Sequence, residues 1–325
     1  MSLMLKTVSA FAITGLLAVP AAAQTKWDMP VPYGEGNFHT KNIQQFAKEI
    51  SDATGGKLTI QVHPSGSLFK HPEIKPSVRR GLAPIGEILA SLASNESPIF
   101  GVDSVPFLTG GYADARKLYA AQKPFLEKRL DGEGLKLLYS VPWPPQGLYT
   151  RKEIKAIGDL SGLKFRTYNA ATSRLAQLIK AVPTQIEVPD IPTAFQTGRV
   201  EAMITSPATG VDSKAWDFLT HYNDLQGWQP RNIVFVNKAA FDKLPADQQK
   251  AMLTAAAAAE KRGWEVSESE TARTTNLLAD NKITVYKPTP ELRDALMKIG
   301  ATMTQEWEKS AGADGAALLK AYRGK

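Results

Sequence analysis

The chain has no cysteine and only four histidines in 325 residues. The first absence excludes disulfides, thiol nucleophiles and cysteine-held metals. The second leaves no HExxH context, and no two of His39, His63, His71 and His221 stand at helical ligand spacing. His63 and His71 flank a loop containing Pro64 and Gly66 and read as surface residues. A G-x-S-x-G elbow, a P-loop and a dinucleotide fingerprint are also missing, so no enzymatic constellation is legible and no cofactor is expected. Charge of one sign is not concentrated anywhere. The net +7 is thinly spread, and its densest basic cluster, Lys75 to Arg80, is too short for a nucleic-acid stripe.

Long apolar runs are scarce as well. One, from Val8 to Val19, falls short of the roughly 20 residues a spanning helix needs. Lys6 before it and Ala21-Ala22-Ala23 after it predict a secretory signal peptide over residues 1–23, cleaved before Gln24. The mature chain, at about +6, is therefore expected in the periplasm, with no insertion into the membrane and no disulfide to staple it.

What is present is core material: 43% of residues are hydrophobic, enough for two medium domains. Lys26 to Val31 reads as a strand and Thr40 to Ala53 as an amphipathic helix stopped by Gly55-Gly56. Leu58, Ile60 and Val62 then alternate inward as the next strand. The β-α-β order favours parallel sheets with helices on their faces. A helix over Ile74 to Arg80 and a strand over Pro84 to Ala90 follow. Leu135 to Val141 is a strand that runs into Trp143-Pro144-Pro145-Gln146, a stiff segment suited to a crossing between domains. A second set comprises strands at Gly147–Thr150, around Phe165, at Gln185–Val188 and at Ala202–Thr205, with helices at Ala171–Lys180 and Ile191–Thr197. Asn232–Asn237 is one more strand, and the helix opened by Pro245 runs to about Ala279, at about 1.5 Å per residue some 50 Å, long enough to bridge two lobes.

In Ser161–Asn169, Lys164 and Arg166 alternate with Leu163 and Phe165, which gives a short strand with one basic face. Gly162-Leu163-Lys164-Phe165-Arg166, with Thr193 to Ala202 about thirty residues on, resembles the signature region of the solute-binding proteins of TRAP transporters, the DctP type. Val105-Pro106-Phe107-Leu108 with Ala113, and Phe241-Asp242-Lys243-Leu244-Pro245 with Gln248, resemble further segments of that family, and the similarity spans nearly the whole mature chain in order.

The resemblance implies an α/β, two-lobed periplasmic-binding-protein fold with a hinge and a long lobe-bridging helix. Lobe I is expected over residues 24–145 and 230–260, and lobe II over 146–229. The bridging helix is expected over 246–279, and a C-terminal helical segment, 280–325, across both lobes. It also implies a monomeric receptor that closes on a small organic acid and hands it to membrane permease subunits. Arg166 is then the carboxylate clamp, because a guanidinium matches a carboxylate with two parallel charge-assisted hydrogen bonds; Lys164 keeps an ordinary solvated role.

Two departures from the family pattern narrow the ligand. Gln146 stands where many members carry a second arginine, and Ser206 in Thr205-Ser206-Pro207 stands where they often have asparagine. One well-recognised carboxylate is expected, on an apolar or aromatic acid or a hydroxy or oxo acid, and not on a sialic acid or a C4-dicarboxylate. The candidate contacts are Arg166, Gln146, Ser206, Trp143, Trp228, Phe38, His39 and Glu87, with Asn37, Tyr149, Tyr168 and Trp216 nearby. Glu87 has two readings, a ligand acceptor or an exposed residue at a sheet edge. An exported enzyme on the same scaffold, or a receptor for another permease or a sensor, are the competing readings.

Overall fold

The structure, a computed structural model, describes residues 24–324; the expected signal peptide lies outside the described residues. Asn37 caps the helix Phe38–Ala53 by accepting from the His39 backbone N–H. Its apolar stripe, Ile43, Phe46, Ala47 and Ile50, is buried, and Gly55 and Gly56 end it at φ of 58° and 76°, a region glycine enters freely. The helix is the crossover that lets Thr25–Pro30 and Leu58–His63 pair in parallel.

The β-α-β order predicts parallel sheets, but the three-stranded sheet is antiparallel and the six-stranded one is mixed. In the first lobe, Arg231–Asn237 lies between Ile85–Leu89 and Leu135–Pro142, antiparallel to each. It returns from the other lobe instead of arriving through a local helix, so its direction is reversed. In the second lobe, Gly147–Thr150 enters from the hinge and runs antiparallel to Ala202–Thr205 and His221–Asn223, while Lys164–Thr167 pairs in parallel with Ala202–Thr205 and Val182–Gln185. That last strand stops at Gln185, earlier than expected, and Val188–Asp190 forms a 3₁₀ turn. A helix that the apolar periodicity does not announce, Tyr112–Asp131, packs against the C-terminal helix.

Two connections cross between the sheets, and they are zipped together. Trp143 N–H donates to Pro230 C=O at 2.8 Å, Gln146 N–H to Trp228 C=O at 2.9 Å, and Gly227 N–H to Gln146 C=O at 2.9 Å. The long helix, Ala246–Asp280, spans both lobes. It packs on Phe38–Ala53 and Leu135–Pro142 on one side and on the helix Pro207–Asp212 on the other. Small residues let it approach closely: a β-carbon at Gly263 would stand 2.4 Å from Val141.

The terminal segment is not helical throughout, because Thr284–Tyr286 first adds a strand to the second lobe's sheet beside His221–Asn223. The helix Pro290–Arg323 follows, kinked at Gly312. It holds the first lobe through Trp307 Nε1–H to Pro98 C=O, 2.8 Å, and the second through a two-pronged pairing of Arg174 with Glu306. Among the described residues no helix is long and apolar enough to cross a membrane.

Gly300 is where that helix meets the first lobe, and a β-carbon there would lie 2.5 Å from the Pro106 carbonyl oxygen, an atom of backbone that cannot swing away. Gly300→Ala is therefore expected to destabilise by about 1–3 kcal/mol through overpacking, despite a helix-propensity gain of about 1 kcal/mol. Urea unfolding checks this, and a rise in the midpoint would contradict it.

Candidate functional site

The cleft gathers residues from the carboxyl ends of strands, where open α/β sheets present their ligand positions. Arg166 and Tyr168 close strand Lys164–Thr167, Thr205 ends Ala202–Thr205, Glu187 follows Val182–Gln185, and Leu89 and Trp143 end or follow the two first-lobe strands. Together with Tyr33, His71, Leu92, Val188, Thr209 and Pro230 they line a small, nearly filled cavity, with about 30 Å³ of free volume.

Arg166 is 1% exposed although its strand neighbour on the same face, Lys164, is in solvent. Lys164 lies at the outer end of the strand and its ammonium donates to the Gly198 carbonyl. The Arg166 Nε–H donates to Ile186 C=O at 2.9 Å, and its guanidinium lies over the Tyr168 ring at 4.9 Å. Its two terminal nitrogens have no hydrogen-bond partner among the described residues. Burial lowers its pKa to about 10, opposed by Tyr168 and by the Glu187 carboxylate, so it stays charged at neutral pH.

Glu187 faces His71 across the cleft at 3.6 Å. The His71 Nε2 accepts from the Leu89 backbone N–H at 3.0 Å, which places the ring proton of neutral His71 on Nδ1, toward Glu187. Burial pushes the Glu187 carboxyl upward, but His71, Arg166 and Gln185 outweigh it and hold the group below its ordinary range, ionised. The lobes also meet at Asn37 Nδ2–H to Asp212, 2.7 Å, and at Asn169 Nδ2–H to Ser91 Oγ, 2.8 Å.

Of the eight expected contacts, two line this cavity, Arg166 and Trp143. Gln146 and Trp228 sit behind its wall: the Tyr168 hydroxyl donates to Gln146 Oε1 and accepts from Trp228 Nε1, and the Gln146 amide donates to Pro144 C=O, so both serve the hinge. Ser206 caps helix Pro207–Asp212 by accepting from Thr209 N–H, which turns its oxygen along the backbone. Phe38 and His39 are buried in the first lobe against the Trp143 ring. Glu87 is neither at an exposed edge nor on the cavity wall. Its strand is covered, it is 2% exposed, and Asn232 Nδ2–H donates to it at 2.9 Å. His71, read as a surface residue, is 9% exposed because the Tyr33 ring packs edge-on against it. Tyr33, His71, Glu187, Thr205 and Thr209 had no motif to announce them. Their signal was position, since Tyr33, Glu187 and Thr205 each stand at or just past the end of a strand.

A model of the bacterial extracellular solute-binding proteins, family 7 (DctP), matches residues 33–310. A solute-binding protein of Verminephrobacter eiseniae is 30% identical over 243 residues, 73% of this chain and 71% of that one. Among solved structures, a Bordetella pertussis extracytoplasmic solute receptor binding pyroglutamic acid is 47% identical with a TM-score of 0.91, covering 92% of this chain and 99% of its own. A marine metagenome TRAP solute-binding protein specific for pyroglutamate is 40% identical, also at a TM-score of 0.91, over 93% and 100% of the two chains. These relatives are receptors, not enzymes.

Burial raises the Glu87 pKa from an ordinary 4.5 to about 8, partly offset by the Asn232 hydrogen bond. The native state thus holds a proton that the unfolded chain releases above about pH 4.5, and wild type loses stability from there until the loss levels off above about pH 8. Glu87→Gln carries no such proton. The melting-temperature gap, variant minus wild type, is expected to widen between pH 5 and 8 and stay constant beyond; a gap independent of pH would show an ionised carboxylate.

Proposed function

Because the chain belongs to the bacterial extracellular solute-binding proteins of family 7, the receptors of TRAP transporters, we propose that its ligand is pyroglutamate, the five-membered lactam acid of glutamate, captured for delivery to the membrane permease subunits. The observation that carries the reading is the pairing in one small cavity of a buried arginine with free terminal nitrogens and an ionised Glu187 close enough to shift it. In pyroglutamate the ring N–H is attached to the carbon that bears the carboxylate. An anion anchor and an N–H acceptor must therefore be neighbours, as Arg166 and Glu187 are. The carboxylate takes the guanidinium fork, Glu187 accepts the lactam N–H, and Leu89, Leu92, Val188 and Pro230 cover the ring methylenes. The identity of 40–47% to receptors that bind pyroglutamate supports the same reading.

Glu187 also explains why a single carboxylate suffices. A second ligand carboxylate placed near it meets a like charge at low dielectric, which disfavours dicarboxylates without any steric block. The expected preference for one carboxylate thus acquires a physical agent.

Titration calorimetry with L-pyroglutamate tests this directly. Arg166→Ala is expected to cost about 2–4 kcal/mol, and Arg166→Lys also to weaken binding, because one ammonium does not reproduce two parallel hydrogen bonds. Binding that survives Arg166→Ala unchanged would remove the clamp from this site.

Glu187→Gln keeps a carbonyl acceptor but loses the charge. Affinity for pyroglutamate is expected to fall by about 1–2 kcal/mol while the discrimination against glutarate narrows. An unchanged ratio in competition calorimetry would assign the selectivity elsewhere.

A further inference from the structure

Behind the cavity wall lies a second polar group of residues, of which the buried Asn232 and Glu87 do not line the cavity. Asn232 is its centre. The Trp143 Nε1–H donates to Asn232 Oδ1 at 2.9 Å and the Tyr33 hydroxyl donates to the same oxygen at 3.2 Å. Because an indole N–H is only ever a donor, the amide has one permitted orientation: Oδ1 toward Trp143 and Tyr33, Nδ2 toward Glu87, 2.9 Å from Oε1. Tyr33 and Trp143 both line the binding cavity, and their rings meet edge-to-face at 5.0 Å. Asn232 and Glu87 are themselves 1% and 2% exposed, on adjacent strands, so water is not on hand to replace a lost partner.

We propose that Glu87 is a positioning residue of the binding cavity: its carboxyl oxygen locks the Asn232 amide, and that amide sets the orientation of Tyr33 and Trp143 on the cavity wall. Three features favour this over a residue that merely fills the core. First, Glu87 is a costly filler, since burial opposes its ionisation and its Oε2 has no partner among the described residues. Second, the groups facing it supply no counter-charge. His39 Nδ1 is 3.6 Å away, but burial holds that imidazole well below its ordinary pKa, and burial likewise keeps Tyr33 and Tyr139 un-ionised. Third, Asn232 Oδ1 takes two donors at once, which only an amide fixed from its other side presents reliably to two rings.

The inference rests on the proposed ligand only for its binding readout. With L-pyroglutamate at pH 7, Glu87→Leu is expected to weaken binding at least about tenfold, because the Asn232 Nδ2 loses its only acceptor among the described residues and the amide is then held from its Oδ1 side alone. Glu87→Gln, which keeps an acceptor oxygen at Oε1, is expected to restore most of that loss. Equal weakening by both variants, or no weakening by Glu87→Leu, would overturn the proposal. A second readout needs no ligand. The ¹⁵N–¹H resonance of the Trp143 indole, identified by its disappearance in Trp143→Phe, is expected to shift in Glu87→Leu and to stay near its wild-type position in Glu87→Gln; one position in all three proteins would overturn the lock. If wild type fails to bind pyroglutamate the ligand assignment falls, and the indole resonance still decides the role of Glu87.

Discussion

A guanidinium removed from water is the constraint around which the cleft is arranged. Arg166 is buried at the end of a strand, where Ile186 satisfies one of its five N–H donors and the Tyr168 ring covers one of its faces. Glu187 supplies negative charge nearby but no hydrogen bond to the fork. Such a site is poorly satisfied by the protein alone, since burying a charge without full hydrogen bonding is unfavourable. On the proposed reading, a ligand carboxylate completes it. Closure then depends on the ligand through a differential interaction, because the same arginine in an open cleft retains its water.

The hinge and the cavity are built from the same residues, which couples the two. Trp143 lines the cavity and its backbone N–H zips the two crossings together through Pro230. Tyr168, under the guanidinium, is hydrogen-bonded to Gln146 and Trp228, each of which pairs its backbone with the other across the hinge. A change in the position of Arg166 is therefore passed to the crossings through one ring and one amide. The two long helices, each packed on both lobes, limit the motion to bending and oppose separation.

Much of this was legible in the sequence, for reasons that differ between fold and site. The first strand-helix-strand unit, Thr25 to His63, carries clean apolar periodicity, the helix Tyr112–Asp131 does not, and the long helix from Ala246 declares itself by composition. Strand direction was not legible, because it depends on where a strand comes from: Arg231–Asn237 has the same alternation whichever way it runs. Arg166 was legible because a motif surrounds it. Gln146 and Ser206 were expected from the family positions they occupy, and the aromatics, His39 and Glu87 from their place near the cleft, but residues there have two uses. Gln146, Trp228, Phe38 and His39 fasten the hinge and the wall, and Ser206 caps a helix. Residues such as Glu187 and Tyr33 look ordinary in sequence and gain their place from the end of the strand they follow.

The proposed lactam also has to be distinguished from the free amino acids that share its carboxylate and its adjacent nitrogen. Both kinds of ligand offer Arg166 an anion and Glu187 a donor, so those two anchors do not separate them. The number of donors does. A primary ammonium brings three N–H bonds and a full charge, and proline brings two, whereas a lactam nitrogen brings one and is neutral. Apart from Glu187, the cavity lining offers the apolar Leu89, Leu92, Val188 and Pro230, with the hydroxyls of Tyr33, Tyr168, Thr205 and Thr209 as its further side-chain oxygen acceptors. A surplus donor that reaches none of them loses its water without replacement, at about 1–3 kcal/mol and more when it is charged. On the proposed reading, such a site disfavours proline and glutamate where their extra N–H groups reach none of these acceptors, and it needs no steric clash to do so.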